Sequence, residues 1–130
     1  MFEFLKSRRR RIEAEVLAVT RVSPHAQRIT VGGVEVADFV QIDEANAPAA
    51  WVKVSLPGGA SRAYTIRCTD LQAGTLDLEF VLHGGHGHGG PLSGWAEGAR
   101  VGDRLGLSGP RDGGFHPPTD ARWMLLAGDA

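Results

Sequence analysis

Alternation of apolar and polar residues runs through most of the chain and predicts a series of short β-strands. The clearest example is the segment 75–82, in which Leu76, Leu78 and Phe80 alternate with acidic residues. Glycine, proline and other turn-forming residues separate one such segment from the next. The predicted strands are residues 13–22, 27–31, 51–56, 62–68, 75–82, 104–108 and 122–127.

Three segments do not alternate. Residues 34–39 fit either a strand or one helical turn, and their periodicity does not decide between the two. Residues 41–50 have no apolar period and are predicted to form a loop. Residues 91–98 start with a proline, contain Ser93 as a possible cap and end at Gly98, so they are predicted to form the only α-helix.

These elements together indicate an all-β fold. At least six short strands of antiparallel type, with one short helix and no helices between successive strands, favour a closed or nearly closed β-barrel over a doubly wound sheet. Closure would also cover the strand edges that an open sheet leaves unpaired.

Composition limits the class of protein. A length of 130 residues, 42% of them hydrophobic, fits one compact soluble domain. No apolar run approaches the roughly 20 residues of a membrane helix, and no signal-peptide core follows the basic N-terminus. We therefore expect a cytoplasmic protein with no integral membrane segment. Cys68 is the single cysteine, which excludes an internal disulfide and a CxxC site.

Positive charge is concentrated at the start of the chain. Residues 1–11 contain Lys6 and four consecutive arginines, whereas the remainder has an excess of acidic residues. A basic run can contact nucleic acid or an anionic membrane. No aromatic residues are interleaved with it, and no helix-turn-helix pattern or second basic stripe supports it. We therefore predict a solvated basic arm and no nucleic acid partner.

The first candidate for chemistry is the segment RAYTIR at residues 62–67. In a strand, Arg62 and Tyr64 would lie on one face and Thr65 and Arg67 on the other. Arginine presents a planar fork of donors to phosphate oxygens, and tyrosine offers a flat face for ring stacking. The pair suits a phosphorylated aromatic cofactor, although an ordinary strand can also contain an exposed arginine beside a half-buried tyrosine.

The second candidate is the predicted helix start at residues 90–93, which directly follows a glycine-rich loop. Backbone N–H groups and the positive end of the helix dipole attract an anion there. Ser93 would either cap its own helix or donate to a phosphate. Residues 85–90 also match GxGxxG, but no parallel crossover follows them, so we reject a Rossmann-type dinucleotide motif.

The third candidate is the spacing HxxHxH formed by His83, His86 and His88. Three imidazoles can bind zinc or a similar metal, but a glycine-rich loop is a poor template for a rigid site. We therefore expect no native metal site. Nothing in the sequence matches a hydrolytic motif or a P-loop, so any chemistry has to come from a cofactor.

Six motifs, in their order along the chain, resemble the FAD-binding domain of siderophore-interacting proteins. That family comprises flavin-dependent ferric-siderophore reductases within the ferredoxin-reductase superfamily. The resemblance covers about residues 12–129. The motifs are RAYTIR at 62–67, LEFVLHG at 78–84, GPLSGWA at 90–96, GDRL at 102–105, GPR at 109–111 and LLAGD at 125–129.

The resemblance implies a six-stranded antiparallel Greek-key barrel and a set of cofactor-binding residues. A diphosphate would then meet an arginine fork and a helix dipole. The loop at residues 84–91 is longer than the family's usual HGxxGP pattern, and Leu92 stands where a small residue is common. The implied residues are Arg62 on the FAD phosphates, Tyr64 against the isoalloxazine, Thr65 near the reactive flavin edge, Val81 and His83 at the end of the cofactor-lining strand, and Gly90 and Ser93 on the pyrophosphate.

The resemblance also implies a division of the chain. Residues 1–11 would be the basic arm, residues 12–121 the FAD-binding barrel, and residues 122–130 the start of an NAD(P)H-binding domain that this sequence does not include. We expect such a chain to bind FAD but to show little turnover with NADH or NADPH without a partner.

The implied activity passes electrons from NAD(P)H through FAD to chelated Fe(III), which releases the iron. Its partners would be a ferric siderophore as electron acceptor and a separate NAD(P)H-binding domain. Two alternatives stay open. One is a non-catalytic flavin-binding module or partner subunit, and the other is a metal-binding barrel that uses the three histidines at 83, 86 and 88.

Overall fold

Six antiparallel strands form a closed barrel in the part of the chain that the structure, a computed structural model, describes: residues 11–83 and 90–128. Around the barrel the strands follow the order β1-β2-β5-β4-β3-β6. The all-β barrel predicted from the sequence is confirmed. The strands are β1 (Arg11–Ser23), β2 (Ala26–Gly32), β3 (Trp51–Ser55), β4 (Ser61–Asp70), β5 (Thr75–Val81) and β6 (Arg104–Arg111).

The connections make the barrel a Greek key. Short turns join β3 to β4 and β4 to β5, and the chain then crosses a long connection to reach β6 beside β3. Strand β6 lies between β3 and β1 and closes the barrel. Three hairpin-connected strands with a fourth beside the first define this topology.

Alternating side chains of the strands fill the barrel. Leu76, Leu78 and Phe80 of β5 are buried, and they face buried residues of β2 such as Ile29 and Val31. The residues between them on β5 are only partly buried, as the alternation predicts. Full burial of each such side chain contributes about 1.5–3 kcal/mol, so this core is the main source of stability.

Two α-helices are described, α1 (Val34–Phe39) and α2 (Gly90–Glu97), together with a 3-10 helix, Asp43–Asn46. The prediction of a single α-helix is therefore wrong. Helix α1 buries Val36 and Phe39 while Val34 is exposed, but six residues are too few for the period to be recognised in the sequence. None of the described helices has the length and apolar character needed to cross a membrane.

The two helices lie at opposite ends of the β2–β5 pair. Helix α1 directly follows β2 and packs beside Gly74, the residue that precedes β5. Helix α2 forms hydrogen bonds with Gln27 near the start of β2 and with Val81 at the end of β5. Helix α2 therefore lies at the end of β5 that leads into Val81 and His83, two of the residues that the family resemblance implies in cofactor binding.

The predicted strand at residues 122–127 is wrong. No strand is described after β6, and Leu125 and Leu126 are 80% and 72% exposed. A strand needs a neighbour to pair with, and the closed barrel offers no free edge. At the other end, Arg11 belongs to β1, where it lies opposite Ser108, while residues 1–10 of the predicted arm lie outside the described residues.

Replacement of Gly74 by alanine should destabilise the fold. Gly74 has a φ of 70°, and an added Cβ would lie 2.8 Å from the Cβ of Ala37. We expect Gly74→Ala to lower the free energy of unfolding by about 1–3 kcal/mol, measured by urea denaturation. Gly58→Ala is the control, since an added Cβ meets no atom within 4 Å there. Equal unfolding midpoints for the two variants would contradict the proposed contact.

Candidate functional site

A pocket of about 560 Å³ lies beside α2, against strands β4 and β5. This volume is within the range of small-molecule sites. All the binding residues predicted from the sequence line it, with the exception of Gly90, which starts α2 but is not a lining residue. The lining residues are Arg62, Ala63, Tyr64, Thr65, Arg67, Glu79, Val81, His83 and Ser93.

The ring of Tyr64 is supported from below by the aromatic core. Its centroid lies 4.3 Å from that of Phe80, with the two planes tilted by 46°. Phe80 in turn meets Trp95 of α2 edge-on at 5.8 Å. Such ring pairs stabilise by roughly 0.5–1.5 kcal/mol beyond simple burial. Contact with Phe80 therefore holds the Tyr64 ring in place, and Tyr64 also lines the pocket.

The phenol of Tyr64 keeps its proton at neutral pH. Partial burial raises the pKa of Tyr64 above its ordinary value of 10.0, and the positive charge of Arg62 partly offsets that rise. The hydroxyl can therefore act as a hydrogen-bond donor to a ligand in the pocket.

The two arginines of the RAYTIR segment have different surroundings. The Nε atom of Arg67 lies 2.7 Å from Oε1 of Glu79, which also binds Arg28 at 2.8 Å. Among the described residues, no carboxylate forms an ion pair with Arg62. The guanidinium of Arg62 is thus the one available to an anionic ligand, because that of Arg67 already has a partner.

A β-bulge directs Arg67 towards its partner. The register between β4 and β5 shifts between Ile66 and Cys68, so Arg67 is the extra residue of β4. The sequence analysis missed Arg67, Glu79 and Ala63 as lining residues. Opposite charges on outward positions of adjacent strands were a signal for the Arg67–Glu79 pair. The bulge itself could not be predicted, because the alternation of apolar and polar residues in β4 does not show it.

Ser93 links α2 to the end of β5. Its buried hydroxyl donates to the carbonyl oxygen of Val81 and accepts from the backbone N–H of His83, both at 3.2 Å. A hydroxyl has one proton to donate, and this one is directed at Val81. The side chain therefore neither caps its own helix nor has a proton left for a phosphate.

The start of α2 offers backbone donors instead. The N–H groups in the first turn of an α-helix have no acceptor inside the helix, and Pro91 has no N–H. Gly90 and Leu92 therefore provide the donors at this end. Gly90 has a φ of 67°, a left-handed conformation that favours glycine.

The histidines are only partly described. His83 is exposed and lines the pocket, two residues beyond the end of β5 at Val81. His86 and His88 lie outside the described residues, so the metal-binding alternative stays a prediction. Within residues 11–83 and 90–128, no cluster of three His, Cys, Asp or Glu side chains is arranged to hold a metal ion.

Titration of Tyr64 tests the electrostatics of the pocket directly, since it is the only tyrosine in the chain. We expect its phenolate absorbance to appear with a midpoint above 10.0 while circular dichroism shows the fold intact. Arg62→Ala should move the midpoint further up, because a cation favours the phenolate. Arg104→Ala, on an exposed residue outside the pocket, is the control. A midpoint at or below 10.0 in the folded wild type would contradict this description.

Known proteins are similar to this chain in both sequence and fold. The model of the siderophore-interacting FAD-binding domain matches residues 49–114, just over half of the chain. An NADPH-dependent ferric-chelate reductase of Escherichia coli is 32% identical over 90% of this chain and 51% of its own length. The ferric vibriobactin reductase ViuB of Vibrio cholerae is 46% identical over 52% of this chain and 24% of its own length.

Among solved structures, the siderophore-interacting protein SipS of Aeromonas hydrophila is 31% identical, with a TM-score of 0.64 over 79% of this chain and 44% of that one. The chain spans about half the length of the curated relatives that it matches along most of its own length. The closed barrel, the motifs that line the pocket and these matches all indicate the same family. The chain belongs to the family of siderophore-interacting FAD-binding domains, and FAD is the cofactor of that domain.

Proposed function

We propose that the pocket beside α2 binds the flavin and diphosphate portions of FAD. The observation that supports this most directly is one pocket lined by Arg62, which has no carboxylate partner among the described residues, by the ring of Tyr64 and by Ser93 in the first turn of α2. These are the groups that a phosphorylated aromatic cofactor requires. The chemistry of the lining residues therefore fits FAD.

Each residue has a distinct part in this proposal. Arg62 would bind the phosphate oxygens, and the N–H groups of Gly90 and Leu92 would stabilise the same negative charge at the helix start. Tyr64 would pack its ring against the flavin and donate a hydrogen bond from its hydroxyl. Thr65, Val81 and His83, which also line the pocket, would contact the flavin.

We propose a role for Ser93 that differs from the sequence-based expectation. Because its hydroxyl is bonded to Val81 and His83, we assign it the task of holding the first turn of α2 against β5. The pyrophosphate contact implied by the family resemblance then belongs to the backbone of α2 rather than to the Ser93 side chain.

We further propose that the domain serves the reduction of a ferric siderophore. When bound, FAD supplies the redox chemistry, accepting a hydride from a reduced nicotinamide nucleotide and giving up electrons singly. Relatives named as ferric reductases support the ferric chelate as the acceptor. Hard oxygen ligands hold ferrous iron less tightly than ferric iron, so reduction favours release of the metal. The nicotinamide nucleotide would be bound by a separate domain.

The proposed diphosphate contact predicts a specific loss of affinity. Arg62→Ala should weaken FAD binding by about 10- to 100-fold, because a hydrogen-bonded charge pair contributes roughly 1.5–3 kcal/mol. Arg62→Lys should recover part of this loss, since it keeps the charge without the planar fork. Isothermal titration of FAD into the apoprotein measures the affinities, with Arg104→Ala as the control. If FAD bound Arg62→Ala and the wild type equally, the proposed contact would be wrong.

The proposed reaction predicts iron reduction by the reduced flavoprotein. We expect the FAD-loaded chain, reduced anaerobically with equimolar dithionite, to convert about two ferric ions per flavin to ferrous iron, because the flavin stores two electrons. A ferrous-specific chelator measures the yield from a ferric siderophore, and an equal concentration of reduced free FAD is the control. Tight FAD binding without faster ferrous production than this control would support the non-catalytic flavin-binding alternative.

A further inference from the structure

Gln27 is one of two polar residues buried in the described part of the chain, the other being Ser93. Its Nε2 atom donates to the carbonyl oxygen of Ala96 at 2.6 Å and approaches that of Glu97 at 3.4 Å. Both carbonyls belong to the last turn of α2. The last carbonyls of a helix lack partners within the helix. That of Ala96 accepts a long bond from the backbone N–H of Ala99 at 3.4 Å, and the amide from β2 adds a shorter one.

This bond joins α2 to the same part of the barrel that supports the pocket. Gln27 lies opposite Phe80 in the register between β2 and β5. Phe80 is the ring that contacts both Tyr64 and Trp95. Gln27 itself is not among the residues that line the pocket, so it has no place in the contacts described above.

Helix α2 packs on the barrel through Leu92, Trp95 and Ala96, and hydrogen bonds attach it at two points along its axis. Ser93 fixes its first half to the end of β5, and Gln27 fixes its last turn to β2. Eight residues at 1.5 Å per residue form a rod of about 12 Å. A rod held at one point can pivot, whereas two points determine its direction. Release of the Gln27 bond would leave only side-chain packing to fix the last turn of α2, so the helix could turn about Ser93 and displace the N–H groups of its first turn.

We propose that Gln27 is a positioning residue for the FAD diphosphate, acting through the direction of α2. This inference rests on the proposed diphosphate contact at the start of the helix. It predicts that Gln27 affects the affinity for the phosphate-bearing cofactor although it touches neither the cofactor nor the pocket. Preorganised donors bind an anion more tightly because no helix movement has to accompany binding.

The test compares Gln27→Met with Gln41→Met in the full chain. Methionine keeps the length of glutamine and removes the donor. Gln41 is the control. It is exposed and follows α1 rather than lying beside α2, and its amide also donates to a backbone carbonyl, that of Leu71 at 3.1 Å. Affinities for FAD and for riboflavin, which has no phosphate, are measured by titration. We expect Gln27→Met to lower FAD affinity about tenfold and to leave riboflavin affinity unchanged, with neither changed in Gln41→Met.

The outcomes separate this inference from the proposed site. If the wild type binds FAD no more tightly than riboflavin, the proposed diphosphate contact fails. If it prefers FAD and Gln27→Met preserves that preference, the site stands and the role of Gln27 is overturned. An equal loss for both ligands would also overturn it, because it would indicate general destabilisation rather than helix positioning.

Amide hydrogen exchange in the wild type provides a second measurement that needs no variant to fold. We expect the α2 amides from Trp95 onwards to be protected without FAD, since the bond from Gln27 exists before the cofactor binds. Exchange of these amides at the rate of an unstructured segment, with protection gained only after FAD is added, would show that the helix is not held in advance and would overturn the proposal.

Discussion

The strict alternation of β5 is the constraint on which the site depends. Its inward residues, Leu78 and Phe80 among them, are buried in the barrel, so Glu79 and Val81 must face the opposite way and line the pocket. A register slip of one residue would exchange the two sets and would bury a carboxylate in the core. The same burial that stabilises the fold therefore determines which side chains of β5 a ligand can meet.

Phe80 connects this core to the pocket. Its ring lies beneath Tyr64 on one side and against Trp95 of α2 on the other. Tyr64 and the helix are thus positioned against one buried aromatic residue. Ser93 and Gln27 then hold the helix by hydrogen bonds to two different strands. Since buried polar groups are costly when unpaired, these bonds make other directions of the helix unfavourable.

The distribution of charge follows from pairing between strands. Glu79 accepts from Arg28 of β2 and Arg67 of β4, and this network occupies the outer face next to the pocket. All three side chains are partly exposed, so the network contributes little to stability. Its greater effect is to decide which of the two pocket arginines, Arg62 or Arg67, is available to an anionic ligand. Arg67 is bound to Glu79, whereas Arg62 has no carboxylate partner among the described residues and is the arginine assigned to the phosphate in our proposal.

Much of the barrel was predictable because the period of two is a local property. The six strands from β1 to β6 each correspond to a predicted strand, with ends that differ by at most a few residues. The segment 122–127 also has strand-like composition, yet it forms no strand. Pairing requires an available edge, and whether one exists depends on how the whole sheet closes. Helix α1 was ambiguous for a related reason, as six residues contain too little of a helical period.

The sequence by itself determined the residue types that suit a phosphorylated aromatic cofactor and their order along the chain. Arg62, Tyr64 and the glycine-proline start of α2 were recognisable because their chemistry and spacing are written in contiguous segments. Only the tertiary structure decided how these residues are used. It paired Arg67 with Glu79 through a bulge, bonded the Ser93 hydroxyl to β5, and brought Gln27 to the last turn of a helix 69 residues away. Such contacts depend on strand register and helix direction, which are set by the packing of the whole barrel.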